Sequence, residues 1–168
     1  MIDDIPTTLN MNVAVSVAGK EWSGNIRDIV KISDIKLNEE FMQQPSVYAW
    51  FAALCEMAGA EAENKKFKLS VLKANTEKTV RRVKASAGEK TTESAVAAEV
   101  QTDDAFIAAS LDLIEAERQY SILRALVRSL DQRKDMLIQL GVMKRQEMQL
   151  SDFGINMDKV RGSAKTGQ

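Results

Sequence analysis

The sequence predicts a mainly α protein: two long amphipathic helices in a helical hairpin or coiled-coil-like arrangement, oligomeric, with a short N-terminal extended or β-hairpin arm. Three observations carry that prediction. Apolar residues make up 45% of the chain and aromatics only 5%, an aliphatic, alanine-rich composition that suits helix-on-helix packing better than a sandwich or barrel. Two stretches, one after Pro45 and one after Thr102, each hold an apolar stripe at helical spacing over many turns. Positive charge, finally, is gathered rather than spread. Residues 65–90 carry nine basic side chains (Lys65, Lys66, Lys68, Lys73, Lys78, Arg81, Arg82, Lys84 and Lys90) against Glu77 and Glu89, leaving 14 basic and 22 acidic residues elsewhere in a chain of formal net charge −1.

At 168 residues the chain has the length of one domain. It contains no histidine, which removes the commonest general base, the Ser-His and Cys-His nucleophile pairs and the usual zinc ligands. No Gly-rich phosphate loop is present. The carboxylates of LDLIEAE (Asp112, Glu115, Glu117) have no partner histidine or ligand set and read as a solvated helix face. The expectation is a non-enzyme without metal or cofactor. No run reaches the length of a membrane span, MIDDIPTTLN lacks the regions of a signal peptide, and Cys55 has no intrachain disulfide partner. A reducing, cytoplasmic setting is the expectation.

Residues 1–35 form the N-terminal arm. Met11, Val13, Val15 and Val17 alternate with Asn12, Ala14, Ser16 and Ala18, a period of two that ends at Gly19-Lys20. Ile26, Ile29, Val30 and Ile32 are the expected partner strand, with Ser23-Gly24-Asn25 as a second turn. A hairpin alone is marginal in water, so it must lean on the helices or on a neighbouring subunit.

Residues 36–151 form a helical oligomerisation and nucleic-acid-binding domain. Pro45 suits the first turn of a helix that runs from about residue 46 to 86. Its stripe comprises Val47, Phe51, Leu54, Ala58, Ala62, Leu69, Leu72, Val80 and Val83, all within about 80° on a wheel of 100° per residue. Lys66, Lys73, Arg81 and Lys84 flank it. Most lysine runs are solvated helix faces; the shortage of compensating acids is what points this one at a polyanion. The candidate DNA-binding residues are Lys65, Lys66, Lys73, Lys78, Arg81, Arg82 and Lys84.

Ala87-Gly88 ends the helix. Residues 89–101 fit a short helix or a loop equally. Thr102 is the expected N-cap of the second long helix, with Asp103 and Asp104 in its first turn. That helix runs to about Leu150 on Ile107, Leu111, Ile114, Ile122, Leu126, Leu130, Leu137 and Leu140. Arg118 and Arg133 occupy positions of this stripe where leucine is expected, either snorkelling at its margin or ion-pairing between helices or subunits, with Asp112, Glu115 or Asp131 as candidate partners. Gly141 is a candidate kink point, and residues 152–168 read as a flexible tail.

A helix of ~45 residues is ~65 Å long, and two such seams cannot satisfy each other fully in one hairpin. Self-association is therefore expected, with Phe51, Leu54, Leu69, Leu72, Leu126, Leu130, Leu137 and Leu140 as the candidate oligomerisation residues.

The order of these features resembles a known family. DIVKISDIKLNEEFMQQPSVYAW, with its D-x-x-x-I-x-x-x-x-L-x-x-E start, precedes an apolar helix that runs into the basic segment; a polar break and a long helix ending RKDMLIQLGVMKRQEM follow. Over residues 28–150 this is similar to the UvsY-type recombination mediators of bacteriophages. The resemblance implies a helical, ring-forming protein that binds single-stranded DNA and helps load a RecA-like recombinase onto strands covered by single-strand-binding protein. It also implies basic contacts in a Lys-x-Arg motif followed by tyrosines and a glycine. Lys73 fits the first basic position, Asn75 stands at the second, and the tyrosines and glycine are absent. Arg81, Arg82 and Lys84 restore the charge but not an aromatic face for stacking. The alternative is a structural or chaperone-like coiled-coil phage protein whose basic stripe docks an acidic protein partner.

Overall fold

The structure, a computed structural model, describes residues 12–90 and 92–165, with side-chain surroundings described as far as Ser151. The chain is mainly helical, as its composition predicts. Two strands, β1 (Asn12–Val17) and β2 (Lys20–Asn25), lead into a short helix α1 (Ile26–Val30). Then come the long helix α2 (Leu37–Ser86), the short helix α3 (Glu93–Gln101) and the longest, α4 (Asp104–Lys165). Helices α2 and α4 lie antiparallel: Phe41 meets Gly141, Gln44 bonds to Leu130, and Gly59 faces Tyr120.

The arm is a β-hairpin, but its second strand is Lys20–Asn25 rather than residues 26–32. Val17 pairs with Lys20, so the connection is the two-residue turn Ala18-Gly19, both at positive φ (48° and 75°). That is the geometry whose twist matches a tight hairpin. Ile26–Val30 is instead helical, capped by the Asn25 side chain, which accepts the Arg27 N–H at 2.9 Å. The polar look of KEWSGN conceals the strand, because Trp22 is its one large apolar residue. Val15 and Val17 are buried, and the Trp22 ring meets Phe51 edge-on at 5.1 Å. The hairpin also leans on both long helices: the Ser16 N–H donates to Gln119 and the Ala18 N–H to Glu61. Met11, expected in the first strand, lies outside the described residues.

Helix α2 begins at Leu37, so Pro45 lies inside it rather than in its first turn. An interior proline forfeits one backbone bond, at a cost of about 3 kcal/mol. Two tertiary anchors in the turns just before it offset that cost. Glu40 pairs with Arg133, and the Gln44 amide donates to the Leu130 carbonyl at 2.8 Å. The other end is as expected. Gly88 (φ 72°) allows the Gly88 N–H to reach Ala85 O and the Glu89 N–H to reach Lys84 O, a Schellman closure. The segment 89–101 resolves as a helix from Glu93, whose Thr92 cap accepts the Ala95 N–H. Thr102 is the C-cap of that helix. Asp103 is what caps α4, accepting the Phe106 N–H at 2.9 Å, and its fixed negative charge suits that end.

Helix α4 is continuous past Gly141 and past residue 150 to Lys165. The helix is not interrupted at Gly141, which makes room for Phe41, whose Cζ would lie 3.0 Å from an added Cβ. The stripe expected on α4 is corrected in its first three turns. Ile107 is 43% exposed, Leu111 and Ile114 each 61%, whereas Ala116 and Leu123 are buried and Phe106, Leu113 and Tyr120 partly so. Helices that pack along their length supercoil on a 3.5-residue repeat, and a straight wheel drifts by about 20° per heptad. A wheel set on Leu126, Leu130 and Leu137 thus points to the wrong face four turns upstream. On α2, Val83 is likewise exposed; the rest of the predicted stripe is buried or partly buried.

Candidate nucleic-acid interface

Eight of the nine cations of the basic segment lie in the second half of α2, with Lys90 just beyond its end, and the eight fall into two groups. Four are held by carboxylates. Lys65 lies 3.5 Å from Glu61, and Lys66 3.8 Å from Glu63, both one turn back on the same helix. Arg81 grips Glu93 of α3 through two guanidinium nitrogens at 2.7 and 2.6 Å, and Lys84 pairs with Glu99 of α3. The hydrogen bond and then the charge of Arg81 hold the Glu93 carboxyl below its usual range, and the same contact raises Arg81. Val96 and Val100 of α3 are buried. The sequence hid this arrangement because a nine-residue, alanine-rich helix carries little periodicity to announce which face it turns to α2.

The other group consists of Lys68, Lys73, Lys78 and Arg82. All four are exposed, and none has a carboxylate within ion-pair distance among the described residues. Of the seven predicted DNA-binding residues, Lys73, Lys78 and Arg82 are thus open cations, while Lys65, Lys66, Arg81 and Lys84 already hold acids. Lys68 joins the open set, and so does an aromatic: Phe67 projects to solvent between Lys66 and Lys68. Its signal in the sequence was its place within KKFK, which breaks the spacing of the buried stripe.

The candidate oligomerisation residues lie elsewhere. Phe51, Leu54, Leu126, Leu130 and Leu137 are buried in the chain's own core, and Leu69, Leu72 and Leu140 are half-buried. The two seams satisfy each other more fully than their length suggests, and the strand hairpin adds Val15, Val17 and Trp22 to the cluster around Phe51, Leu54 and Leu123. The apolar surface that remains includes Ile107, Leu111 and Ile114 on α4.

The two anomalous arginines differ. Arg118 is exposed and grips Glu115 on its own helix at 2.7 and 2.6 Å; that bond and a second from Gln119 hold the Glu115 carboxyl at about 2. Arg133 is buried and does pair between helices, but with Glu40 of α2 rather than an acid of α4. It also donates to Gln44 Oε1 and to the Lys31 carbonyl.

Among the described residues no three His, Cys, Asp or Glu side chains are grouped as metal ligands, and no helix is long and apolar enough to cross a membrane. Burial pushes the Cys55 thiol above its usual range, with Glu56 adding to the shift. A raised thiol is a weak nucleophile. No protein-family model matches the chain, and neither does any curated protein or solved structure.

Proposed function

We propose that this chain is a non-enzymatic, homo-oligomeric single-stranded-DNA-binding protein. In this reading it acts as a phage recombination mediator in the host cytoplasm, helping to load a RecA-like recombinase onto strands covered by single-strand-binding protein. One observation carries the DNA-binding part: Lys68, Lys73, Lys78 and Arg82 stand exposed along one helix with no carboxylate in ion-pair distance among the described residues. Charges left open in this way attract a polyanion and release its counterions on contact. The mediator part rests on the resemblance over residues 28–150. Oligomerisation is supported by the exposed stripe of Ile107, Leu111 and Ile114, an apolar surface of the kind that copies of a chain bury against each other. A ring of copies multiplies the basic helix, and avidity then converts modest phosphate contacts into tight binding.

Charge reversal tests it. Lys73→Glu, Lys78→Glu and Arg82→Glu together are expected to abolish binding of a labelled oligo-dT while leaving the mass of the oligomer unchanged. Unaltered binding by that variant would overturn the site. A second reading has its own observation, since Arg81 and Lys84 already take the carboxylates of α3. In that reading the chain is a structural or chaperone-like coiled-coil protein and the face docks an acidic protein. It predicts an intact oligomer with no affinity for DNA.

A further inference from the structure

Three of the four open cations of α2, Lys68, Lys78 and Arg82, share a face with apolar groups that stay exposed among the described residues. Phe67 is 68% exposed and Val71 43%. At 100° per residue, Phe67, Lys68, Val71, Asn75, Lys78 and Arg82 fall within a sector of about 120°, on the side of α2 away from the buried Ala58 and Ala62. The only acid between residues 64 and 86 is Glu77, which lies outside that sector and is half-buried. The face is therefore aromatic at one end and positive along its length. Lys78 lies ~16 Å and Arg82 ~22 Å along the helix axis from Phe67.

That combination selects its ligand. A purely apolar partner would have to strip water from Lys68, Lys78 and Arg82 without replacing it. An acidic peptide would satisfy the cations, but it offers the ring a flat face only where it carries an aromatic or proline side chain, not at every step. An unpaired nucleotide chain offers both, a phosphate at every step and an open π-face on every base. A duplex offers the phosphates alone, because its base faces are stacked. We infer that Phe67 is a stacking platform for an unpaired nucleobase, with Lys68, Lys78 and Arg82 taking the phosphates that follow. This deepens the single-strand reading above and rests on it.

Three probes separate the two. Anisotropy is measured for the full chain with a labelled oligo-dT, with a base-free oligomer of the same length and with a duplex, while the mass of the protein is followed in the same buffer. The wild type is expected to bind oligo-dT about 5- to 150-fold more tightly than the base-free strand. Phe67→Ala removes that preference without changing the salt slope or the mass, and Phe67→Tyr keeps it. Equal affinity of the wild type for dT and base-free strands overturns the stacking role and leaves phosphate binding intact. So does a Phe67→Ala variant that retains the preference. Loss of the oligomer in Phe67→Ala also overturns it, by assigning the ring to a contact between copies. Binding of no strand by the wild type overturns the single-strand reading itself.

Discussion

Arg133 is the residue at which sequence and structure speak most directly to each other. Its guanidinium, buried between α2 and α4, serves Glu40, Gln44 and the Lys31 carbonyl at once. Among the described residues no buried side-chain nitrogen or oxygen lacks a partner, so the network is fully satisfied. Arg133→Ala leaves the Glu40 carboxylate poorly solvated and without a counter-charge, holding only the Ser33 N–H, and is expected to cost about 3–5 kcal/mol, read as a lowered urea midpoint. The double variant Glu40→Met/Arg133→Met is expected to be less destabilised than the single one, because both charges leave together. A single variant within about 1 kcal/mol of wild type would contradict the network's role. The sequence made Arg133 visible as a charge in a leucine position. It could not name Glu40, which lies 93 residues away and ahead of the helix start that Pro45 suggested.

At the scale of elements, α3 is a short helix with two roles. Val96 and Val100 are buried, and Glu93 and Glu99 occupy two cations of the basic segment. Glu93→Gln/Glu99→Gln is expected to leave α3 docked through the valines and to free Arg81 and Lys84. The salt dependence of DNA binding then steepens by about 1.4 in log–log slope, at roughly 0.7 per phosphate on single strands. An unchanged slope would show that these two cations take no part. The long helices and the Gly88 stop were legible because periodicity and capping are local. The second strand and α3 were not, since each owes its place to contacts across the fold: Trp22 on Phe51, and Arg81 on Glu93. The misplaced stripe of α4 has a different cause. Supercoiling changes the repeat, so a wheel anchored at Leu130 loses the face by Leu111.

For the whole molecule, what the fold leaves uncovered matters most. The core buries Leu54, Leu126, Leu130 and Leu137 of the leucines expected between copies, Leu69, Leu72 and Leu140 are half-buried, and the stripe of Ile107, Leu111 and Ile114 is exposed. On the proposed self-association, Leu111→Glu/Ile114→Glu is expected to lower the mass to that of a monomer without lowering the helical signal, since neither side chain enters the core. Retention of the oligomer would place the contact elsewhere. The candidate DNA site was legible in part: the basic run announced itself, but which cations stay open depends on α3, and the exposure of Phe67 depends on how α2 turns against α4.

The account's central claim is that the open cations of α2 hold single-stranded DNA. The most direct test is an anisotropy titration of labelled oligo-dT across a salt series, wild type beside Lys73→Glu/Lys78→Glu/Arg82→Glu, with masses measured in the same buffers. The account predicts a wild-type log–log slope of at least about −3, that of four phosphates neutralised on one copy, and no binding by the variant at unchanged mass. An intact wild-type oligomer that fails to bind at low salt would contradict it, and would leave the basic face to an acidic protein partner.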